Sequence, residues 1–337
     1  MKNLNQHYTS AGLFTLSLRL VIGWTYFSAF WRRLILDNKL IPNEAGYIGE
    51  KFNHFLPNAL GIKPLIEHLV LNPDQLQFAM VSFTIVEAIV GLFIMLGLFT
   101  RLMSIGIISL AMGILLGSGW IGTTCLDEWQ IGVLGVAGGF TLFLTGSGNY
   151  SLDNLLINKN SKLIDNKLFN WFASGYLPVL LSKKVILFVS LLILGLTLYT
   201  NQYFHGGVFG TLHNKSVRPK VEISNILVDQ SKIKFEIYRT EGADVYGSFL
   251  IGIQFLDENG LILDEFKMED LANFNPKLIN NHYVTKVKPH KHSLLIPLGA
   301  KADLSFLIRN KEILSQIRII KLIDISGIEW QQTINKN

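Results

Sequence analysis

Apolar residues gather in five runs over the first 203 positions and then give way to a different pattern. The runs cover Leu13–Trp31, Leu76–Phe99, Met103–Ile121, Ile131–Thr145 and Val185–Tyr203. Each approaches the roughly 20 mostly apolar residues that cross a bilayer as a helix. The fourth is short, but Trp129 precedes it, and Gly132, Gly135, Gly138 and Gly139 suit close packing between helices. Gly106, Gly113 and Gly117 mark the third run in the same way. Between the fourth and fifth runs, "LFNWFASGYLPVLL" is apolar but too short and interrupted to span, and predicts a helix lying in the membrane interface.

From Val217 the period changes to two. In "KIKFEIYR", Ile233, Phe235 and Ile237 share one face while Lys232, Lys234 and Glu236 share the other. "FLDENGLILDEF" predicts a strand, a tight turn and a second strand, and "YVTKVK", "SLLIPL", "ADLSFLIR" and "IRIIKLIDI" extend the series. The predicted fold is a membrane all-α four-helix bundle over 1–155, a linker over 156–184, a fifth transmembrane helix over 185–204, and an all-β antiparallel sandwich over 205–337.

Composition agrees with a membrane protein: 49% of residues are hydrophobic, only 16% are charged, and mean hydropathy is +0.35. Soluble domains carry about 25% charged residues. Cys125 is the single cysteine, which excludes an intramolecular disulfide, a multi-cysteine zinc site and a cysteine-held iron–sulfur cluster. The net charge of +5 comes with no basic block or Gly-rich phosphate loop, so no nucleic-acid partner is expected. Arg19 inside the first apolar run, with no small-residue cleavage pattern before Trp24, predicts an uncleaved helix. Loop Lys and Arg favour a cytoplasmic N-terminus by seven against five. Five spans then place the β domain outside, in the periplasm of a bacterium whose inner membrane holds the chain.

Glu87 opens the stretch "VEAIVGLFIMLGLFTR", near the expected bilayer midplane, where a charge is costly unless paired or protonated. Two readings stand: an ion pair with Arg19 of the first helix, or a proton-handling group. Arg101 ends the second helix, either snorkelling as a topology anchor or facing the same site. Arg32 and Arg33 close the first helix on the outer side, where two guanidinium groups suit a divalent oxyanion but equally suit a solvated helix end. Cys125 lies beside Asp127 and Glu128, which raise rather than lower a thiol pKa, so it reads as a weak nucleophile or an inert thiol. Asp127 and Trp129 also suit an interface anchor. His205 and His213 flank "GGVFGTL", over the bundle mouth or in a structural turn. His282, His290 and His292 have no Met or Cys nearby and read as solvated.

"LRLVIGWTYFSAFWRR", "VEAIVGLFIMLGLFTRL", "CLDEWQIGVLGVAGG" and "GSGNYSLD" resemble the DoxX-like superfamily, specifically the DoxD subunit of thiosulfate:quinone oxidoreductase. The fifth helix, "FHGGVFGTLHNKSVRP" and the strands resemble the companion DoxA subunit, in the order of a DoxD–DoxA fusion. The resemblance implies oxidation of two thiosulfates to tetrathionate, with electrons passed to a membrane quinone. It supplies no metal or flavin. Set within that activity, the positions of the residues make Glu87 and Cys125 the catalytic candidates, place Arg32, Arg33, Asp127 and His205 around the sulfur oxyanion, and leave Arg19, Glu87 and Arg101 as a quinone-side or structural ionic group. Expected partners are the bilayer, quinone, thiosulfate or another small sulfur oxyanion, and further copies or other envelope proteins. The rival expectation is a non-catalytic scaffold or lipid- or partner-binding module, since no dinucleotide fingerprint or haem pair is present and a shared fold does not fix chemistry.

Overall fold

The computed structural model describes residues 10–42, 44, 46–122, 127–164, 166–175, 177, 182–229, 231–245, 247–308 and 313–334. The chain divides into two compact units that interleave along the sequence.

The first unit is helical and comprises the described residues of Met1–Ile48, Gln77–Gly119 and Leu126–His213. Its long helices are α1 (Leu16–Phe30), the bulk of α4 (Pro73–Leu96), α5 (Thr100–Ser118), α6 (Asp127–Thr145) and α9 (Lys183–Phe204). Among the described residues, α4, α5 and α9 are long and apolar enough to cross a membrane by themselves. The first of the five expected spans has 15 α-helical residues, continued by a π-helical turn over Trp31–Ile35. Glycine sets the helix spacing. A Cβ on Gly91 would stand 2.5 Å from Phe27 N, and one on Gly23 would stand 2.8 Å from Gly91 O, so α1 and α4 cross backbone to backbone. On α6, Gly132 and Gly135 lie against Leu115 and Ala111 of α5, whereas Gly138 faces Ile22 of α1.

The described part of the expected interfacial linker packs on the other helices, while 176 and 178–181 lie outside the described residues. After α7 (Leu152–Lys159) and α8 (Lys167–Phe172), the Ala173 carbonyl accepts Arg101 N at 3.3 Å, and Asn170, Ala173 and Ser174 are buried. A run that is apolar but interrupted has irregular backbone to satisfy, and the bundle supplies partners for it.

The second unit comprises the described residues of Gly49–Leu76, Trp120–Cys125 and Asn214–Asn337. Among the described residues, ten strands form two antiparallel sheets. One has β1 (Lys220–Asp229), β2 (Lys232–Glu241), β8 (Lys301–Leu307) and β5 (Ile279–Asn281) in that order. The other runs β10 (Glu329–Thr333), β9 (Ile319–Asp324), β3 (Ser248–Leu256), β7 (Ser293–Ile296) and β6 (Lys288–His290), with β4 (Ile262–Lys267) also on β3. Their inner faces share one core, in which Phe235 stacks on Phe306 at 5.6 Å and Phe255 meets Phe306 edge-on at 5.8 Å.

Two expectations change here. "YVTKVK" is mostly not a strand; Thr285 N donates to Asn53 Oδ1 and Tyr283 Oη donates to Glu67 Oε1. The 49–76 segment, between the first two apolar runs and within the expected 1–155 bundle, therefore belongs with the sandwich. Its helices α2 (Gly49–Phe55) and α3 (Lys63–Leu71) bury Leu56, Ala59, Ile66 and Val70 against Tyr283, with Tyr238 and Val284 packed beside them. Asn53 also donates to Gly299 O, and the absence of a side chain at Gly299, whose φ is +72°, lets the Asn53 backbone approach.

Candidate functional site

Above the Gly23–Gly91 crossing, the α1–α4 seam holds a small polar group in an apolar surround. On α4, Phe83, Glu87 and Gly91 are spaced by four and share one face. On α1, Tyr26 faces the same seam, and the π turn directs Arg33 inward while Arg32 stays exposed. Glu87 is 2% exposed, and its carboxylate pairs with Arg33, whose side chain retains 22% exposure. The Arg33 guanidinium lies over the Phe83 ring at 5.9 Å. Tyr26, 4% exposed and within electrostatic reach of Glu87, has a buried hydroxyl with no hydrogen-bond partner. Gly135 leaves room for it, because a Cβ there would stand 2.7 Å from that hydroxyl.

The expected Arg19–Glu87 pair does not form. Arg19 Nη1 donates to Ser147 O at 2.5 Å and Nη2 to Tyr150 O at 2.6 Å, next to Gly97. Nor does Arg101 snorkel. It is fully buried and donates to the carbonyls of Phe143, Asn170 and Gly175.

Beside it, Asp153 accepts Phe99 N at 2.8 Å, Thr100 N at 3.2 Å, Thr100 Oγ1 at 2.9 Å and Ser174 Oγ at 2.8 Å. Phe99, the residue before α5, offers no side-chain cap and sits at φ 47°, so Asp153 caps α5 from a distant segment. Burial pushes the Asp153 carboxyl above its ordinary range, against the pull of these hydrogen bonds. Sequence reasoning missed Asp153; its one signal is its place at the end of "GSGNYSLD".

Of the expected oxyanion group, Arg33 turns to Glu87 and Arg32 is exposed. Asp127 is exposed at the start of α6. Among the described residues no hydrogen bond or ion pair joins Asp127 to Arg32 or Arg33. Cys125 lies outside the described residues. Trp129 Nε1 donates to Thr200 Oγ1 at 3.0 Å, tying α6 to α9. His205, at the end of α9, is fully buried and donates from Nε2 to Gly119 O at 2.9 Å, leaving Nδ1 without a hydrogen-bond partner. Burial lowers its pKa, opposed by the Gly119 carbonyl.

On the sandwich, His282 is not freely solvated. It lies between Glu236 and Asp303, which face each other across β2 and β8. The three could converge on a cation, but Lys301 holds Glu236, while Lys234 and Asn280 hold Asp303. The cluster is already neutralised by its own cations.

Residues 14–180 match the family model described as TQO small subunit DoxD, and residues 204–333 match that described as TQO small subunit DoxA. No solved structure matches the chain. With both matches in tandem and in the order of a fusion, the chain belongs to the DoxD and DoxA families, the small subunits of thiosulfate:quinone oxidoreductase.

Proposed function

We propose that the chain is a multi-pass inner-membrane oxidoreductase that oxidises thiosulfate to tetrathionate and reduces membrane quinone, with quinone handled at the α1–α4 seam. The carrying observation is the buried Glu87–Arg33 pair beside the unpartnered Tyr26 hydroxyl. A buried hydroxyl without a partner costs about 1–3 kcal/mol, so its retention favours an incoming acceptor. A quinone carbonyl is such an acceptor and is at home in the apolar surround.

Two thiosulfates give up two electrons in forming the S–S bond of tetrathionate; quinone takes these with two protons. In this reading Tyr26 orients one quinone carbonyl. Glu87 takes up a proton and passes it on, while Arg33, partly open to solvent, holds the carboxylate when it is charged. The N-terminus is cytoplasmic and the sandwich periplasmic, which brings the anionic donor to the outer side. Arg32, Asp127 and His205 remain candidates for that side. Cys125 remains a candidate for a sulfur adduct, and Cys125→Ser retaining full thiosulfate-dependent quinone reduction removes it.

The test is purified protein with thiosulfate and decylubiquinone. Glu87→Gln is expected to lower quinone reduction by about 100-fold, the scale of one acid–base group, while retaining most of the folded protein. Unchanged turnover removes Glu87 from the mechanism.

A further inference from the structure

The buried residues of α9, Thr200 and Phe204, both lie in its last two turns. Thr200 Oγ1 accepts Trp129 Nε1, and a Cβ on Gly119 would stand 2.9 Å from the Phe204 ring. The opposite face is bare, with Leu191, Leu194 and Leu198 all about half exposed. In a helix long and apolar enough to cross a bilayer, that bare face is the lipid face. Gln202, four residues beyond Leu198, continues it.

The same helix fixes a depth. After Lys183 and Lys184 no Asp, Glu, Lys or Arg occurs until Lys215. From Lys184 to Gln202 the helix rises about 27 Å, against the roughly 30 Å of a hydrocarbon core. Tyr199 and Tyr203 stack with ring centroids 6.3 Å apart on either side of Gln202 in the chain, as an interfacial aromatic pair does.

Beyond Phe204 the chain does not run on past the helix. Gly206 and Gly207, at φ +67° and +81°, open a loop closed by a bridge between Gly206 and Leu212, and His213 N donates to His205 O at 2.8 Å. Near the tip, Phe209 N donates to Gln202 Oε1 at 2.8 Å. The tip therefore folds back beside the last turn of α9, on its bare face and at the level of the two tyrosines. There Phe209 is 78% exposed and Leu212 70% exposed. A loop pinned in this shape presents its two largest apolar side chains outward, which is costly in water and favourable at a membrane interface.

We propose that the 206–212 loop is a lipid anchor: Phe209 and Leu212 enter the boundary between headgroups and acyl chains beside α9 and hold that helix at its depth. Lipid is the partner because the loop continues the lipid face of α9 at the end of its span. With no charged residue in the loop, the recognition is apolar and does not depend on anionic headgroups. The anchor is independent of the quinone reading and of which side of the membrane this end of α9 faces.

The test is a depth measurement on full-length protein in phosphatidylcholine vesicles. Cys125→Ser leaves one thiol when Thr211→Cys is added, and a nitroxide there lies between Phe209 and Leu212 without replacing either. Power saturation then compares oxygen, which partitions into lipid, with a water-soluble nickel chelate. Burying one Phe or Leu side chain is worth a factor of about 10 or more, so nickel access should be at least about 10-fold below that at Lys277→Cys on the sandwich. Oxygen access should match that at Leu198→Cys, and adding phosphatidylglycerol should change neither. Phe209→Ser with Leu212→Ser keeps the backbone bond to Gln202 and should raise nickel access by about 10-fold or more, at an unchanged melting temperature. Nickel access equal to that at Lys277→Cys, with Phe209 and Leu212 in place, puts the loop in water and overturns the anchor. Exclusion of both reagents also overturns it and means that protein covers the loop. Spin–spin broadening that fades on dilution with unlabelled protein would then identify a second copy. Each of these failures leaves the thiosulfate–quinone reading where it stands.

Discussion

At the α4–α5 turn and at the α1–α4 seam, the helical unit sets arginines among apolar residues, buried at the turn and partly exposed at the seam, and it treats them differently. At the turn, Arg101 meets three backbone carbonyls, and Asp153 collects two backbone and two hydroxyl donors. Arg19 bonds two more carbonyls, leaving only its Nε without a partner. Ser147 donates to Ser174, which donates to Asp153, so this network closes on itself. At the seam, one carboxylate and one guanidinium pair, and a neighbouring hydroxyl is left over. A polar group in an apolar medium either finds every partner within the fold or waits for one from outside. Apart from Arg19 Nε, the turn meets the first condition, that of a structural lock, and the seam meets the second, which is what the binding site proposed there requires.

The largest effect that separates the two lies at the lock. Arg101→Ala orphans three carbonyls at once and is expected to cost about 3–5 kcal/mol, read as melting in detergent. Arg101→Lys should recover little of this, since an ammonium cannot serve three carbonyls in the guanidinium's planar spread. A loss under about 1 kcal/mol would return Arg101 to the role of a topology anchor.

Next comes the spacing that creates the seam. Gly91→Ala sets a Cβ 2.5 Å from Phe27 N, where the obstacle is backbone and cannot swing aside. We expect a loss of about 1–3 kcal/mol together with lower quinone reduction, because α1 and α4 must part just below Glu87. Gly113→Ala, whose Cβ meets nothing within 4 Å, is the neutral control.

The location of these helices is written in the apolar runs, and the close crossings are written in Gly23, Gly91, Gly132 and Gly135. The partner of Glu87 is not obtained by counting depth from the helix ends. It follows from register. In antiparallel helices that cross at Gly23 and Gly91, stepping back from Gly91 to Glu87 means stepping forward from Gly23 toward Arg33. Arg19 lies in the opposite direction, toward Met95 and Gly97. The π turn that directs Arg33 inward is a backbone event with no side-chain pattern to announce it.

Asp153 is invisible for another reason: it caps a helix more than 50 residues away in the chain, and only tertiary structure brings them together. The 49–76 segment falls inside the DoxD match, yet it packs with the DoxA strands. Phe52, Phe55, Leu56, Ile66 and Val70 were apolar positions in an apparent loop, which is a signal of burial against something else.

A smaller change sharpens the contrast from the seam. Tyr26→Phe removes a hydroxyl that has no hydrogen-bond partner, so stability should hold or rise by up to about 1 kcal/mol. Quinone reduction should nevertheless fall by about 10-fold if that hydroxyl orients the substrate. An unchanged rate would leave Tyr26 as packing and shift the site onto Glu87 and Arg33 alone.

The subtlest test is the pH response of the lock. Burial holds the Asp153 carboxyl above its unfolded value, so between the two values the folded state binds more protons than the unfolded one. The contribution is therefore fully present below the unfolded pKa, near 3.8, and is lost as pH rises through the folded one. Mild acidification should strengthen the α4–α5 turn rather than loosen it. Asp153→Asn removes the titration but places an amide against Thr100 N, a donor that cannot reverse, so the variant should be less stable and lose this component of the pH response. A wild-type protein whose melting temperature falls on acidification from neutrality, with Asp153→Asn indifferent over the same range, would mean that the hydrogen bonds from Phe99, Thr100 and Ser174 outweigh burial. The lock would then depend on a charged carboxylate.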